Sequence, residues 1–223
     1  MSLHFILGPS GSGKTHTLYE TILSQAAKEP ERMFYVIVPE QFTMQTQKEL
    51  VARHRRHAIM NIDVVSFDRL ASRIFDELGR HERMVLEDTG KNLLLRKIAE
   101  NEKEQLKTLK QNIHRMGYID QIKSLISEFM QYGLSPDQLE AYLASRPKDS
   151  ALSYKLKDIL RIYSHFYEEL KDRFVTSETL LSLLAQYVEE SQLLKGAVFA
   201  FDCFTGFTPV QMHLCLLYTS RCV

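Results

Sequence analysis

The sequence has no excess of charge of either sign, since 28 Lys and Arg residues balance 28 Asp and Glu residues. A chain without a global basic field can contact nucleic acid only through local patches. It also has no apolar run of about 18 residues, the length that a helix needs to cross a bilayer. The start of the chain lacks the charged head of a signal peptide. We therefore expect a cytoplasmic protein that does not contact membranes.

Cysteine is scarce, and its three positions, Cys203, Cys215 and Cys222, match the spacing of neither a zinc site nor a disulfide framework. Residues 215–220 resemble translated adaptor sequence from a sequencing library. We therefore predict that residues 215–223 are a non-native tail and exclude them from fold reasoning. The natural reading frame is then expected to continue differently beyond Leu214, with Cys203 as the native cysteine.

Three apolar runs near the start of the chain are predicted strands: Leu3–Leu7, Phe34–Val38 and Ile62–Phe67. Helical segments are predicted between them, over about Lys14–Ala27 and Thr43–His54. Strand, helix, strand, helix, strand with short connections predicts right-handed parallel units in one sheet.

From about Asp68 to Gln192 the strand pattern gives way to helical periodicity. Ser135 is a predicted cap, with Pro136 at the first helical position. A strand pattern returns at Ala197–Phe201, and Thr208 and Pro209 begin another predicted helix. The sheet is therefore expected to resume after a helical insertion.

These patterns together predict an α/β fold, a parallel sheet that carries a large α-helical insertion. The sheet domain is predicted to comprise 1–82 and 193–214, and the insertion 83–192. Because the last strand lacks its normal neighbours in a chain of this extent, we expect it to form an exposed edge.

A glycine-rich segment fits the phosphate-loop pattern G-x-x-x-x-G-K-[ST] at every fixed position. The predicted nucleotide-binding residues are Gly8, Pro9, Ser10, Gly11, Ser12, Gly13, Lys14 and Thr15. The glycines let backbone N–H groups turn inward around phosphate oxygens, and the helix that follows adds its positive end. Lys14 is expected to reach the outer phosphates of ATP, and Thr15 to supply a hydroxyl to Mg²⁺.

Binding of a nucleotide does not establish its hydrolysis, which also needs an acidic residue at another strand end to hold Mg²⁺. Asp202 is the candidate, with a turn or capping residue as the alternative interpretation. Cys203 follows it in place of the glutamate of an Asp-Glu motor motif. We therefore predict Thr15 and Asp202 as metal ligands and no catalytic residue.

Three later segments, Pro39–Thr43, Val65–Leu70 and Phe201–Gln211, follow the phosphate loop in an order and spacing that resemble the AddB (RexB) family. AddB is one of the two subunits of the AddAB (RexAB) helicase-nuclease. The resemblance implies a P-loop NTPase fold like that of superfamily 1 helicases, in a subunit that has lost motor function. The loop begins seven residues after Met1, which leaves no room for the upstream glutamine motif of true motors.

The resemblance also implies a place in a heterodimer. An AddA-type subunit would drive translocation, and the AddB-type subunit would bind ATP and DNA and contribute to Chi recognition while DNA ends are processed for recombinational repair. A nuclease domain and an iron-sulfur cluster are implied only for the carboxyl-terminal part of such a subunit. Neither the nuclease carboxylates nor the cluster cysteines map onto this chain.

In helicases of this class the segments after the second and third strands lie under single-stranded DNA, where polar groups bind the backbone and aromatic rings stack on bases. The predicted DNA-binding residues are Gln41, Phe42, Thr43, Ser66, Phe67 and Arg69. The two phenylalanines have core packing as their alternative interpretation. The basic stretch Val51–His57 contacts phosphates or forms a solvated helix end, and both interpretations stay open.

Two other classes of protein use the same loop. A nucleotide or small-molecule kinase would need a compact domain and an arginine-bearing lid, whereas here about 125 helical residues interrupt the sheet. An ABC-type ATPase would need a Leu-Ser-Gly-Gly-Gln signature, which the sequence lacks. The kinase is therefore the main alternative to the helicase-nuclease subunit.

Overall fold

The computed structural model describes residues 3–79, 84–115, 117–145, 150–171, 173–188 and 190–220. The chain divides into two compact units. The sheet unit comprises Met1–Arg80, Leu183–Phe207 and Gln211–Val223, and the helical unit comprises His81–Ser182 and Thr208–Val210. The domain boundary that the sequence predicts between 82 and 83 lies outside the described residues. Residues 221–223 of the predicted tail also lie outside them.

The elements follow one another along the chain with mostly short connections. The helices are α1 (Lys14–Lys28), α2 (Thr43–Arg53), α3 (Phe67–Leu78), α4 (Asp88–Asn101), α5 (Tyr118–Gln131), α6 (Pro136–Ala144), α7 (Ala151–Lys171), α8 (Ser177–Tyr187) and α9 (Pro209–Ser220). The strands are β1 (Phe34–Ile37), β2 (Ile62–Val65), β3 (Met84–Val85), β4 (Phe174–Val175) and β5 (Val198–Phe201). Short 3-10 turns cover Glu40–Phe42 and Lys103–Gln105. No helix in the described part of the chain has both the length and the apolar character needed to cross a membrane.

A small parallel sheet organises the sheet unit, in the order β2-β1-β5. Phe34 lies opposite both Ile62 and Val198, which fixes the register at the start of β1. All four residues of β1 are buried, as expected of a central parallel strand covered on both faces. β5 lies at an edge of this sheet, which was expected. The prediction of an α/β fold with a parallel sheet is confirmed.

The prediction of a strand over Leu3–Leu7 is wrong, because this segment joins no sheet in the structure. Its apolar side chains are exposed, with Phe5 at 75% and Leu7 at 87% of their full accessibility. An apolar run becomes a strand only when a neighbouring backbone edge accepts its hydrogen bonds. No strand in the described part of the chain pairs with this segment, so the phosphate loop follows an irregular segment.

The helical unit has its own core, formed mainly by α4, α5, α6 and α7. The predicted cap at Ser135 is confirmed: its hydroxyl accepts from the Gln138 backbone N–H, and the Gln138 side chain accepts from the Ser135 N–H. The sequence pattern here was helical and did not indicate strands, but β3 and β4 pair in parallel. Two-residue strands are too short to leave a periodic pattern in the sequence.

Residues 183–192 belong to the sheet unit, although the sequence placed them in the insertion. The Tyr187 ring packs edge-on against Phe75 of α3, with centroids 6.0 Å apart. The Glu77 carboxylate accepts hydrogen bonds from the Ser191 hydroxyl at 2.5 Å and from the Gln192 backbone N–H at 2.8 Å. These contacts hold the returning chain beside α3 before β5 begins.

Candidate nucleotide and DNA site

Two glycines of the phosphate loop adopt backbone angles that favour glycine. Gly11 and Gly13 have φ angles of 76° and 82°, in the left-handed region that other residues rarely adopt. At Gly8 the constraint is different, because a Cβ atom there would lie 2.4 Å from the Ser12 Oγ and would displace that side chain. Gly13 is the residue before α1, so the loop leads directly into the amino-terminal end of that helix.

Lys14 turns back onto its own loop. Its Nζ donates to the carbonyl oxygens of Gly8 at 2.9 Å and Pro9 at 2.7 Å. The ammonium group therefore takes peptide carbonyls as its partners in this structure. A phosphate oxygen would have to replace these carbonyls, and its formal charge makes it the stronger acceptor.

Thr15 connects the loop to the end of β5. Its hydroxyl donates to Asp202 Oδ1 over 3.2 Å, although the two residues are 187 positions apart in the chain. The Asp202 backbone N–H donates to the Ile37 carbonyl at 3.1 Å, which ties this carboxylate to the end of β1 as well. The structure thus brings together the two residues that the sequence predicted as metal ligands.

The second carboxylate oxygen of Asp202, Oδ2, is buried and has no hydrogen-bond partner in the described structure. A buried carboxylate oxygen without a partner is costly and calls for an explanation. Mg²⁺ binds through one or two protein oxygens and completes its shell with water and phosphate oxygens. Thr15 and Asp202 therefore fit Mg²⁺, and the described residues contain no larger His, Cys, Asp and Glu cluster for a metal.

Cys203 follows Asp202 with a φ of 64°, a left-handed conformation that is uncommon outside glycine. Desolvation raises the pKa of the Cys203 thiol, and the charge of the neighbouring Asp202 carboxylate raises it further. The Glu49 charge has the same effect on this thiol. Sequence reasoning missed Glu49, because nothing in the spacing along α2 relates it to Asp202.

Tyr19 of α1 links this helix to α2. It is buried, and its hydroxyl lies 3.2 Å from the Thr46 hydroxyl. Burial raises the pKa of Tyr19 to about 12, opposed by that hydrogen bond and assisted by the charge of Asp202. Tyr19 therefore remains neutral at physiological pH and is a packing residue in the core of the sheet unit.

The segments after β1 and β2 meet at one edge of the sheet. Arg69 of α3 forms a 2.8 Å ion pair with Glu40, and the Arg69 side chain is 60% exposed. Gln41 is exposed and Phe42 is half-buried in the turn before α2. The contact between Glu40 and Arg69 places the two predicted DNA-binding segments side by side.

Three of the predicted DNA-binding residues have structural partners. The Thr43 hydroxyl donates to the Glu40 carbonyl at 2.9 Å, and Thr43 is buried. The Ser66 hydroxyl caps α3 by accepting from the Arg69 backbone N–H at 3.3 Å. Phe67 is 5% exposed and packs within a group of rings. These three side chains shape the edge, whereas Gln41 and Arg69 present polar groups on it.

Sequence reasoning missed an aromatic cluster beside Phe67. Phe204 and Phe207 stack with centroids 4.9 Å apart, and the Phe67 centroid lies 5.6 Å from that of Phe204. Phe201 contacts both of the later rings. Phe207 is 36% exposed, so this cluster reaches the surface. Three phenylalanines spaced three residues apart after a strand were the available signal.

Part of the basic stretch Val51–His57 contacts α1. Arg53 Nη1 lies 2.5 Å from His16 Nδ1 and 3.6 Å from the Glu20 carboxylate. Its guanidinium carbon also lies 5.9 Å from the centroid of the Tyr19 ring. Arg55 and Arg56 are exposed. Arg53 thus binds the first turns of α1, next to the phosphate loop.

Comparison with known proteins gives one family and a consistent set of relatives. The family model described as "ADDB, N-terminal" matches residues 5–220. A protein of Lachnoclostridium phytofermentans, named as the B-type subunit of an ATP-dependent helicase/deoxyribonuclease, is 41% identical over 214 residues, which cover 96% of this chain and 19% of that protein. Proteins of the same name from Alkaliphilus oremlandii and Clostridium tetani are 33% and 34% identical over 94% and 95% of the chain. The chain covers 18% of each of these two, so it spans about a fifth of the length of the curated relatives it matches.

The environment of Cys203 predicts a slowly reacting thiol. Because its pKa is raised, we expect Cys203 to be alkylated more slowly at pH 8 than a cysteine in an unstructured peptide. Asp202→Asn removes the neighbouring charge, so the same reaction should become several-fold faster. Mass spectrometry of the peptide that contains Cys203 measures both rates. Equal rates in the two proteins would show that the Asp202 charge does not raise the pKa of this thiol.

Proposed function

The chain belongs to the family described as "ADDB, N-terminal", and from this premise we propose that it forms the ATP-binding and DNA-binding part of an accessory helicase-nuclease subunit. In this proposal the subunit works in the cytoplasm with an AddA-type partner and processes double-strand DNA ends for recombinational repair. It takes part in Chi recognition and has lost motor activity itself. The nuclease domain and its iron-sulfur cluster belong to a part of the subunit outside this chain.

The contact between Thr15 and Asp202 is the main observation that supports the proposed ATP binding. A hydroxyl and a half-satisfied carboxylate stand together at the end of the phosphate loop. With MgATP bound, the loop amides would hold the phosphates, and Lys14 would exchange its two carbonyl partners for phosphate oxygens. Thr15 and Asp202 would hold the Mg²⁺, which neutralises phosphate charge when bound.

The residue after Asp202 supports the loss of motor activity. Rapid hydrolysis needs a group that orients or deprotonates the attacking water. Cys203 occupies the position of that group, and its thiol is neutral at physiological pH because its pKa is raised. A neutral thiol accepts a proton poorly. The chain therefore suits nucleotide binding better than rapid turnover.

The edge of the sheet supports the proposed DNA contact. Gln41 and Arg69 present an amide and a guanidinium there, and Phe207 presents part of an aromatic ring. The Glu40–Arg69 pair is more than half exposed on both sides. Such pairs contribute little to stability because water and salt screen them. Arg69 can therefore exchange Glu40 for a DNA phosphate.

Lys14→Ala tests nucleotide binding. We expect it to weaken ATP binding by roughly 10- to 100-fold, because it removes a charged hydrogen bond worth about 1.5–3 kcal/mol. Isothermal titration of the full-length protein measures this affinity. Lys28→Ala, at the exposed end of the same helix, is the matched control and should bind as the parent does. An unchanged affinity in Lys14→Ala would remove the loop from the account.

Arg69→Gln tests the DNA contact at the sheet edge. It removes one positive charge, so we expect weaker binding of single-stranded DNA and a salt dependence shallower by about 0.7 in log Kd per log salt concentration. Glu40→Gln should instead strengthen binding, because it frees the guanidinium from its partner. Fluorescence anisotropy over a salt series measures both variants. If neither variant shifts the affinity, Arg69 does not contact DNA.

A further inference from the structure

A cluster of lysines surrounds Tyr154 in the helical unit, far along the chain from the phosphate loop. The ammonium groups of Lys107 and Lys157 lie 5.5 and 5.6 Å from the centroid of the Tyr154 ring. Lys155 is the next residue in α7, and all three lysines are exposed. We refer to these four residues as the Tyr154 cluster.

The charge of these lysines is not balanced by neighbouring carboxylates. Among the residues that the structure describes, none of the three lies within ion-pair distance of a carboxylate. Other lysines of the helical unit differ in this respect, since Lys110 pairs with Glu104 at 2.5 Å and Lys171 pairs with Glu168 at 2.7 Å. The Tyr154 cluster is therefore a local positive patch on a chain whose net charge is zero.

Asp158, the carboxylate next to Lys157 in α7, already accepts backbone hydrogen bonds. Asp158 is 5% exposed and accepts backbone hydrogen bonds from Lys107 at 3.1 Å, Thr108 at 2.6 Å and Leu109 at 3.0 Å. It fixes the turn that carries Lys107 against α7. The same buried group thus holds Lys107 in place without pairing with its ammonium.

We propose that the Tyr154 cluster binds the phosphate backbone of DNA, as a contact separate from the sheet edge. This inference rests on the proposed function, because it takes DNA as the polyanion that the protein meets. Two ammonium groups held over one ring can meet neighbouring phosphates of a strand, whose charges are closely and regularly spaced. The contact is independent of sequence, since lysines bind phosphates as point charges.

The test replaces Lys107, Lys155 and Lys157 together by glutamine in the full-length protein assembled with its partner subunit. The matched control replaces Lys28, Lys97 and Lys195 by glutamine, which changes the net charge equally at exposed lysines elsewhere. Fluorescence anisotropy with DNA over a salt series gives Kd and its salt dependence. We expect the cluster variant to lose about 2 in the slope of log Kd against log salt and to bind about tenfold more weakly at low salt. The control should match the parent.

A variant with one reversed charge separates a loss of DNA binding from a failure to fold. Lys155→Glu changes an exposed side chain and should weaken DNA binding in the same direction, whereas Lys97→Glu should not. Thermal unfolding of each variant confirms that it folds.

The outcomes separate this inference from the proposed function. If the parent protein binds no DNA, the proposed function fails and this inference fails with it. If the parent binds DNA and the cluster and control variants bind it with equal affinity, the inference about the Tyr154 cluster is overturned and the proposed function stands. If the cluster variant binds DNA normally but no longer joins its partner subunit, the lysines serve a protein interface, and the inference is likewise overturned.

Discussion

The hydrogen bond between Thr15 and Asp202 is the contact on which the proposed site depends. The segment before the phosphate loop lies outside the sheet, so no strand holds the loop from its amino-terminal side. Within the described residues, the loop is held by α1, whose buried face packs against the sheet, and by the hydrogen bond to the end of β5. Among the described residues, the second Asp202 oxygen is buried and has no hydrogen-bond partner, and it is the atom that we propose binds the cation.

The order of the strands explains why the other candidate residues gather nearby. β1 lies between β2 and β5, and all three run in parallel, so the segments that follow them emerge at one edge. Ligands of open α/β sheets bind at this carboxyl edge. Here it carries Asp202, the Glu40–Arg69 pair and the rings around Phe207. The proposed nucleotide site and the proposed DNA surface therefore lie at the same edge of one sheet.

Sequence reasoning located features that are set by local pattern. The strands β1, β2 and β5 and the helices α1 and α2 lie within two residues of their predicted bounds, because buried apolar runs and turn residues mark them. Leu3–Leu7 has a similar pattern but forms no strand, since pairing depends on a distant backbone edge that composition does not show. The partners of Ser66 and Thr43 were also hidden, because a hydroxyl that caps a turn looks the same in sequence as one that binds phosphate. Thr15 and Asp202 were predicted as ligands of one Mg²⁺, and the structure adds the direct hydrogen bond between them. The family match over residues 5–220 favours a helicase-nuclease subunit over a kinase or an ABC-type ATPase.

The most direct test of the central claim is the effect of Mg²⁺ on ATP affinity in the parent protein and in Asp202→Asn, measured by isothermal titration of the full-length protein. Thr15 and Asp202 are taken to hold the cation between the protein and the phosphates. Mg²⁺ should therefore tighten ATP binding in the parent and lose that effect in Asp202→Asn, while affinity without Mg²⁺ stays similar. An equal Mg²⁺ effect in both proteins would show that Asp202 does not hold the metal, and would contradict the site described for this chain.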